Sequence, residues 1–379
     1  MMGPRVLFAG GGTGGHIYPA LAVADELKKR HAGFEPLFVG TRSGLESSVI
    51  ERLEYPIEYI SSRGVRGRGI PGKILTIAAL AVGFFQSLRL VHAFDPDLVF
   101  GAGGYASAAV VLASSALRRR IVLQEQNSIP GLANRLLAPL ASRIYLGFEQ
   151  AAGFFGRRSR PLYTGNPIRE SIVHSRESDP RAEFGLENDA PVLLVFGGSQ
   201  GASRLNKAVV ECLEHRTGLQ AIIQTGTRDF DWVDERLSKV DTKTFVSPYI
   251  SDIDLAYRAA TVALSRAGAL SVSELAAVGL PAILVPYPHA ADDHQRANAG
   301  YLVEAGGALL VEDSELNGEI LSARLDELLG GGEGKLGSMR RALERIARPG
   351  ATSAICDDIE AFMGAGGIHA SGAQKGSGA

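Results

Sequence analysis

The chain has 379 residues, 45% hydrophobic and 21% charged, with 39 basic side chains against 41 acidic ones and a formal net charge of -2. That length supports two hydrophobic cores, and the balanced charge gives no polycationic footprint, which argues against nucleic acid as a partner. Two cysteines, Cys212 and Cys356, stand in unrelated contexts; neither a disulfide framework nor a cysteine zinc site is expected, and a reducing compartment is the default.

In chain order, "MMGPRVLFAG" reads as an opening strand rather than a signal peptide. The glycine cluster "GGGTGGH" follows, then a helix expected from about Pro19 to His31 and a second strand, "EPLFVG". From Ser61 to Leu90 there are no acids, but Arg63, Arg66, Arg68, Lys73 and Arg89 surround the apolar run "ILTIAALAVGFF". That run is too short to span a bilayer. Two readings stay open for it: apolar side chains entering a membrane interface while the cations meet anionic headgroups, or a buried helix behind a solvated basic loop. Next come the strand "DPDLVFGAGG", the helix "YASAAVVLASSAL" and the strand "RRIVLQEQN".

Between Thr164 and Pro191 apolar density falls, as in a linker, and the pattern then restarts with "PVLLVFGG", a helix near Ala202 to Glu214, and the strands "LQAIIQTG", "TKTFVSPYI", "TVALSRAG" and "PAILVPYP". Strands alternating with helices predict parallel sheets covered by helices. The expected fold class is α/β, with domains at residues 1–165 and 166–345. The segment around Pro349 is expected to form a kinked helix pair whose part at 346–362 returns to the first domain. The tail from 363 is expected to be disordered.

Three glycine turns carry the functional signal. In the first, Gly10, Gly12 and Gly15 formally fit a dinucleotide fingerprint, but the second strand ends in Gly40 instead of the acid that would hold a nicotinamide ribose. His16 stands where a phosphate-binding loop would need lysine. The turn is therefore a loop for another anion or sugar, or a tight turn needing glycine for its backbone alone. His16 is a general base or a packing residue beside those glycines. The second turn, "FGAGGYASA", holds Gly104 and Tyr105; the third, "FGGSQGASRLN", places Ser199 near a helix start, as a cap or a phosphate donor. Glu125 and Asn127 lie at a strand end, where open parallel sheets bind ligands. Arg266 buttresses the cleft or meets a phosphate. Glu274 accepts ribose hydroxyls or complements a helix dipole. His289, Asp292, Asp293 and His294 fit no strong zinc spacing, so no metal site is expected.

The motifs "GGTGGH", "GAGGY", "QEQN", "TGNPIR", "GGSQGA", "SRAGALSVSE" and "DDHQ" occur in this order across residues 5–360. In that combination the chain resembles the MurG family of peptidoglycan glycosyltransferases. The resemblance implies a glycosyltransferase B fold, two Rossmann-like domains facing a cleft. It implies inverting transfer of N-acetylglucosamine from UDP-N-acetylglucosamine to the C4 hydroxyl of the N-acetylmuramyl unit of undecaprenyl-diphosphate-linked muramyl-pentapeptide (lipid I), giving lipid II and UDP. By the same resemblance Thr13, Gly14 and Gly15 approach the donor sugar and diphosphate, Asn127 and Gln295 hold the sugar, and Arg169 and Ser199 meet the nucleotide or its phosphates. Ile250 receives the uracil edge. Ala269, Leu270, Ser271, Val272, Ser273 and Glu274 line the diphosphate and ribose. His16 is the implied base, with Glu125 as support or alternative, and Gly104 and Tyr105 face the acceptor. No cofactor is implied. Attachment is implied to the cytoplasmic side of an anionic membrane, beside other cell-wall synthesis proteins. Two departures, Pro130 in "QNSIPG" and Asp293 where Asn is frequent, remove no named contact. Rival readings are another UDP-sugar transferase with a lipid acceptor, a UDP-N-acetylglucosamine epimerase, and a non-enzymatic nucleotide-sugar module.

Overall fold

A computed structural model of the chain describes residues 3–11, 14–42, 55–62, 70–173, 179–198 and 200–364. Thr13, Arg63, Arg66, Arg68, Ser199 and the tail from residue 365 lie outside the described residues. The N-terminal half runs β1 (Arg5–Ala9), α1 (Gly14–Arg30), β2 (Glu35–Gly40), β3 (Ile57–Tyr59), α2 (Ile70–Phe94), β4 (Leu98–Gly101), α3 (Gly104–Ala116), β5 (Ile121–Glu125), α4 (Leu132–Leu137), β6 (Arg143–Leu146) and β7 (Pro161–Tyr163). These strands form one sheet in the order β3-β2-β1-β4-β5-β6-β7, every pair parallel. The short helix α5 (Glu170–Val173) leads toward the second half.

The second half runs β8 (Val192–Phe196), α6 (Ser203–Leu213), β9 (Gln220–Gln224), α7 (Phe230–Leu237), β10 (Thr244–Ser247), α8 (Ile253–Ala259), β11 (Val262–Ser265), α9 (Ala269–Ala277), β12 (Ala282–Leu284), α10 (His294–Ala305), β13 (Ala308–Leu310), α11 (Gly318–Leu329), α12 (Gly332–Ile346) and α13 (Ala351–Gly364). Its sheet order, β10-β9-β8-β11-β12-β13, repeats the first and is again parallel throughout. Helices cover both faces of such sheets, so β1 ("RVLFA") and β8 ("VLLVF") read as nearly unbroken apolar runs instead of alternating ones. Phe8 stacks on Phe38 at 5.0 Å in the first core. In the second, α6 turns Leu205, Ala208, Val209 and Cys212 inward at helical spacing.

The first helix begins at Gly14, more than a turn before the expected Pro19, which lies inside it. Pro19 falls in the second turn, where its missing N–H deprives the Gly15 carbonyl of its usual i+4 donor. The glycines ahead of Pro19 are partly helix. Near Pro349 the chain breaks between α12 and α13, and α13 packs on α1. Ile355, Cys356 and Ile359 enter the core that holds Val6, Phe8 and Ala24. Arg30 reaches Asp357 at 2.6 Å and Ser353 at 2.7 Å, and His31 meets Glu360 at 2.8 Å. No helix among the described residues is long and apolar enough to cross a membrane.

Candidate functional site

The two sheets place the C-terminal ends of β1, β4 and β5 opposite those of β8 and β11. On the first wall, two glycine turns interlock. A Cβ on Gly104 would stand 2.5 Å from the Gly11 carbonyl oxygen, and one on Gly103 would stand 3.1 Å from His16 Nδ1. Both residues have positive φ, 83° and 92°, which L side chains rarely adopt. The glycines thus let one turn seat on the other and let the half-buried imidazole lie against bare backbone. His16 Nδ1 is 3.2 Å from Gln126 Oε1. Gly103 also begins α3 with no side-chain cap. Tyr105, in the first turn of α3, is exposed.

Glu125 is buried, and its carboxylate accepts four hydrogen bonds. Oε1 takes the Asn127 N–H at 2.9 Å and Asn127 Nδ2 at 3.2 Å; Oε2 takes the Gly131 N–H at 3.0 Å and Asn134 Nδ2 at 2.9 Å. A carboxylate has about four lone-pair sites, so this group organises the loop that carries Asn127. From the facing domain, buried Asn298 closes on that loop. Its Oδ1 accepts from the Ser128 N–H at 2.9 Å and Oγ at 2.8 Å, and its Nδ2 donates to Asn127 Oδ1 at 3.2 Å.

The second wall is built on the start of α9. Its cap, Gly268, brings no side chain to the free first-turn N–H groups, which leaves them available to an anion. Ala269, Leu270, Ser271, Val272, Ser273 and Glu274 form the opening turns of this helix. Glu274 accepts from the Tyr257 hydroxyl at 2.8 Å. Burial pushes its carboxyl above the ordinary value, while nearby Arg169 and the Tyr257 hydroxyl offset part of that rise. Arg169 lies over the Tyr18 ring at 5.3 Å, and its Nε is buried with no hydrogen-bond acceptor. The Ile250 N–H donates to Gln224 Oε1 at 3.0 Å, and Gln224 Nε2 donates to the Gly198 carbonyl at 3.0 Å. The third glycine turn thus sits beside the "PYI" strand end.

At the start of α10, Gln295 Oε1 accepts the Tyr287 N–H at 2.9 Å. Arg266 takes the buttress role: it reaches Asp313 at 2.6 Å, donates to the Val285 and Pro286 carbonyls at 3.2 and 3.3 Å, and stacks on Tyr287. Asp292 and Asp293 both have left-handed φ, 52° and 54°, a region that Asx side chains tolerate. Asp292 pairs with Arg135 across the cleft at 2.9 Å, and Asp293 with Arg296 at 3.1 Å. The walls also meet at Tyr18 and Tyr249, 3.1 Å apart, and at Asn166 and Ser273, 3.0 Å apart.

The structure therefore gathers His16, Gly104, Tyr105, Glu125 and Asn127 on one wall and Ile250, Ala269–Glu274 and Gln295 on the other, with Arg169 at the junction. Gly14 and Gly15 open α1 below His16. Sequence reasoning missed Gln124, Gln126, Asn166 and Asn298 as site residues. A signal existed for the first two. "QEQ" ends an otherwise apolar strand of a parallel sheet, and buried polar side chains there must be hydrogen-bonded.

Comparison with known proteins agrees with this fold. Residues 6–146 match the glycosyltransferase family 28 N-terminal domain, and residues 192–349 match the glycosyltransferase family 28 C-terminal domain. The UDP-N-acetylglucosamine–N-acetylmuramyl-(pentapeptide) pyrophosphoryl-undecaprenol N-acetylglucosamine transferase of Chlorobaculum tepidum is 42% identical over 364 residues, 94% of this chain and 99% of the relative. The transferase of the same name from Anaeromyxobacter dehalogenans is 41% identical over 357 residues, covering 93% and 91%. The crystal structure of Acinetobacter baumannii MurG superposes with a TM-score of 0.73 at 29% identity, covering 94% of this chain and 99% of that one.

Proposed function

From the premise that the chain belongs to the MurG family of glycosyltransferases, we propose that its interdomain cleft carries the family's reaction with the residues gathered there. The enzyme transfers N-acetylglucosamine from UDP-N-acetylglucosamine to the C4 hydroxyl of the muramyl unit of lipid I, with inversion, giving lipid II and UDP. The acceptor oxygen attacks the anomeric carbon on the face opposite UDP. The new C–O bond forms as the bond to the diphosphate breaks, and His16 takes the hydroxyl proton. Negative charge gathers on the departing diphosphate, where the uncapped start of α9 and the Arg169 guanidinium stabilise it.

Asn127 and Gln295 hold the donor sugar, Glu274 accepts the ribose hydroxyls, and the Ile250 carbonyl meets the uracil edge. Thr13, Gly14, Gly15 and Ser199 complete the phosphate and sugar contacts, while Gly104 and Tyr105 line the acceptor side. Glu125 supports this reaction by shaping the Asn127 loop, because its lone pairs are already engaged there. Closing the domains across Asn298 and Asn127 excludes water and favours the lipid hydroxyl over hydrolysis.

Attachment is peripheral, on the cytoplasmic leaflet, through the first domain. Val82, Phe85 and Arg89 share one exposed side of α2, and Leu112, Leu132 and Leu136 are exposed on the neighbouring helices α3 and α4. Apolar tips enter the interface while cations meet anionic headgroups. Any contact with other cell-wall synthesis proteins takes place on that same leaflet.

The observation that carries the reading is the pairing of an imidazole wall with an uncapped helix start and a buried carboxylate opposite. Incubation with labelled UDP-N-acetylglucosamine and lipid I tests it: the expected products are the disaccharide lipid and UDP. Conversion of the donor without acceptor would instead identify an epimerase, and donor binding with no UDP release would identify a binding module.

A further inference from the structure

A chain of side-chain amides runs from the domain junction to the imidazole, and the direction of every link is set by backbone. At one end, Asn166 Nδ2 donates to the Gln126 carbonyl at 2.9 Å and to Ser273 Oγ at 3.0 Å. A backbone carbonyl only accepts, so this atom is the amide nitrogen and Oδ1 is the acceptor. Asn166 Oδ1 then accepts from Gln124 Nε2 at 3.0 Å, and Gln124 Oε1 accepts from Gln126 Nε2. At the other end Gln126 Nε2 also donates to the Ala102 carbonyl at 2.8 Å. The two anchors agree. Both hydrogens of Gln126 Nε2 are engaged, and its Oε1 is left facing His16 Nδ1 at 3.2 Å.

An acceptor at that place requires Nδ1 to be the donor. In the neutral imidazole the other nitrogen, Nε2, then carries the lone pair. We infer that the Asn166–Gln124–Gln126 amide chain holds neutral His16 in its Nδ1–H tautomer, which makes Nε2 the atom that takes the acceptor hydroxyl proton and makes Gln126 a positioning residue for catalysis. This rests on the reading of His16 as the base.

The surroundings are built around the chain. Gln124, Gln126 and Asn166 are all buried, so a flipped amide would set oxygen against oxygen and strand a donor away from water. A Cβ on Gly147 would fall 2.3 Å from Asn166 Oδ1, and one on Gly103 would press on the Nδ1 edge of the ring. The start of the chain touches Ser273 in the donor-binding helix, so the orientation of the base is tied to contact between the domains.

The test reads the tautomer directly. Histidine-labelled protein is observed by 15N–1H correlation at a pH where the rings are neutral, and the His16 signal is assigned by its loss in His16→Ala. The wild-type protein shows the Nδ1–H pattern. Gln126→Met loses it, lowers kcat by about 10- to 100-fold, part of the roughly 10²–10⁴ that a positioned base supplies, and leaves the KM for UDP-N-acetylglucosamine unchanged. An Nε2–H pattern in the wild-type protein overturns the inference, with no variant needed. So does full kcat in Gln126→Met. Failure of the underlying reading looks different: full turnover in His16→Ala with the Nδ1–H pattern intact in the wild-type protein removes the base role and not the tautomer.

Discussion

The two domains share one strand order but use their glycine turns differently. In the N-terminal domain Gly104 seats on the Gly11 backbone, and Gly103 makes room for a side chain, the His16 ring. In the C-terminal domain the glycines make room for backbone. A Cβ on Gly201 would stand 1.9 Å from the Thr225 carbonyl oxygen, and one on Gly226 would stand 2.4 Å from that of Gln200. One turn presents an imidazole; the other brings two main-chain segments together beside the Ile250 strand end. The outer surfaces differ as well. Among the described residues, the large apolar side chains left exposed in the second domain are Tyr249 and Tyr287, whereas the first exposes Phe85 at 64% and Leu136 at 68%. On the proposed reading, the same topology serves chemistry and surface attachment in one half and nucleotide recognition in the other.

The largest expected effect separates these roles. His16→Ala lowers kcat by about 10²–10⁴ and leaves UDP affinity intact, because a base acts on the acceptor proton alone. Glu274→Gln does the reverse, weakening UDP by about tenfold as a charged hydrogen bond is lost; calorimetry with UDP beside steady-state rates checks both. If the two variants behave alike, the division between walls fails.

A smaller effect concerns the outer faces. Phe85→Glu combined with Leu136→Glu weakens binding to anionic vesicles by roughly tenfold or more, since each buried apolar side chain contributes about 1.5–3 kcal/mol. Turnover with a soluble acceptor analogue stays unchanged. Vesicle co-sedimentation equal to that of the parent would place attachment elsewhere.

The smallest is a pH effect. Burial raises the Glu274 carboxyl above its ordinary 4.5, so the folded state binds that proton more tightly than the unfolded chain does. Stability from this group is greatest below the ordinary value and falls as pH rises through the raised one. Glu274→Gln removes the titration, and urea midpoints of the variant fall less than those of the parent from about pH 4.5 toward neutrality. Identical slopes would mean the carboxylate is better solvated than its surroundings indicate.

Much of this was legible before folding. The alternation of apolar runs and helical periods marked the main strands, and glycine clusters marked the turns at their ends. Short strands escaped: β3, β7 and β13 have three residues each and β6 four, too few for a period to register, whereas the equally short β12 lies in the longer apolar run "PAILVPYP". The glycine cluster reads as a turn, which puts the expected start of α1 near Pro19, although the helix begins at Gly14. Arg266 could serve ligand or scaffold by its position in the sequence, and Asp313 with two carbonyls decided for scaffold.

By itself the sequence determined two parallel α/β sheets, the positions of the glycine turns and membership of the transferase family, because periodicity, turn chemistry and motif order are local properties. Tertiary structure alone decided how the polar groups are shared. Asn298 meets Ser128 across 170 residues of chain, and Gln124 meets Asn166 across 42. A buried amide must find a partner, but nothing local to it says which one; strand order within a sheet brings Asn166 to Gln124, and the docking of one sheet against the other brings Asn298 to Ser128.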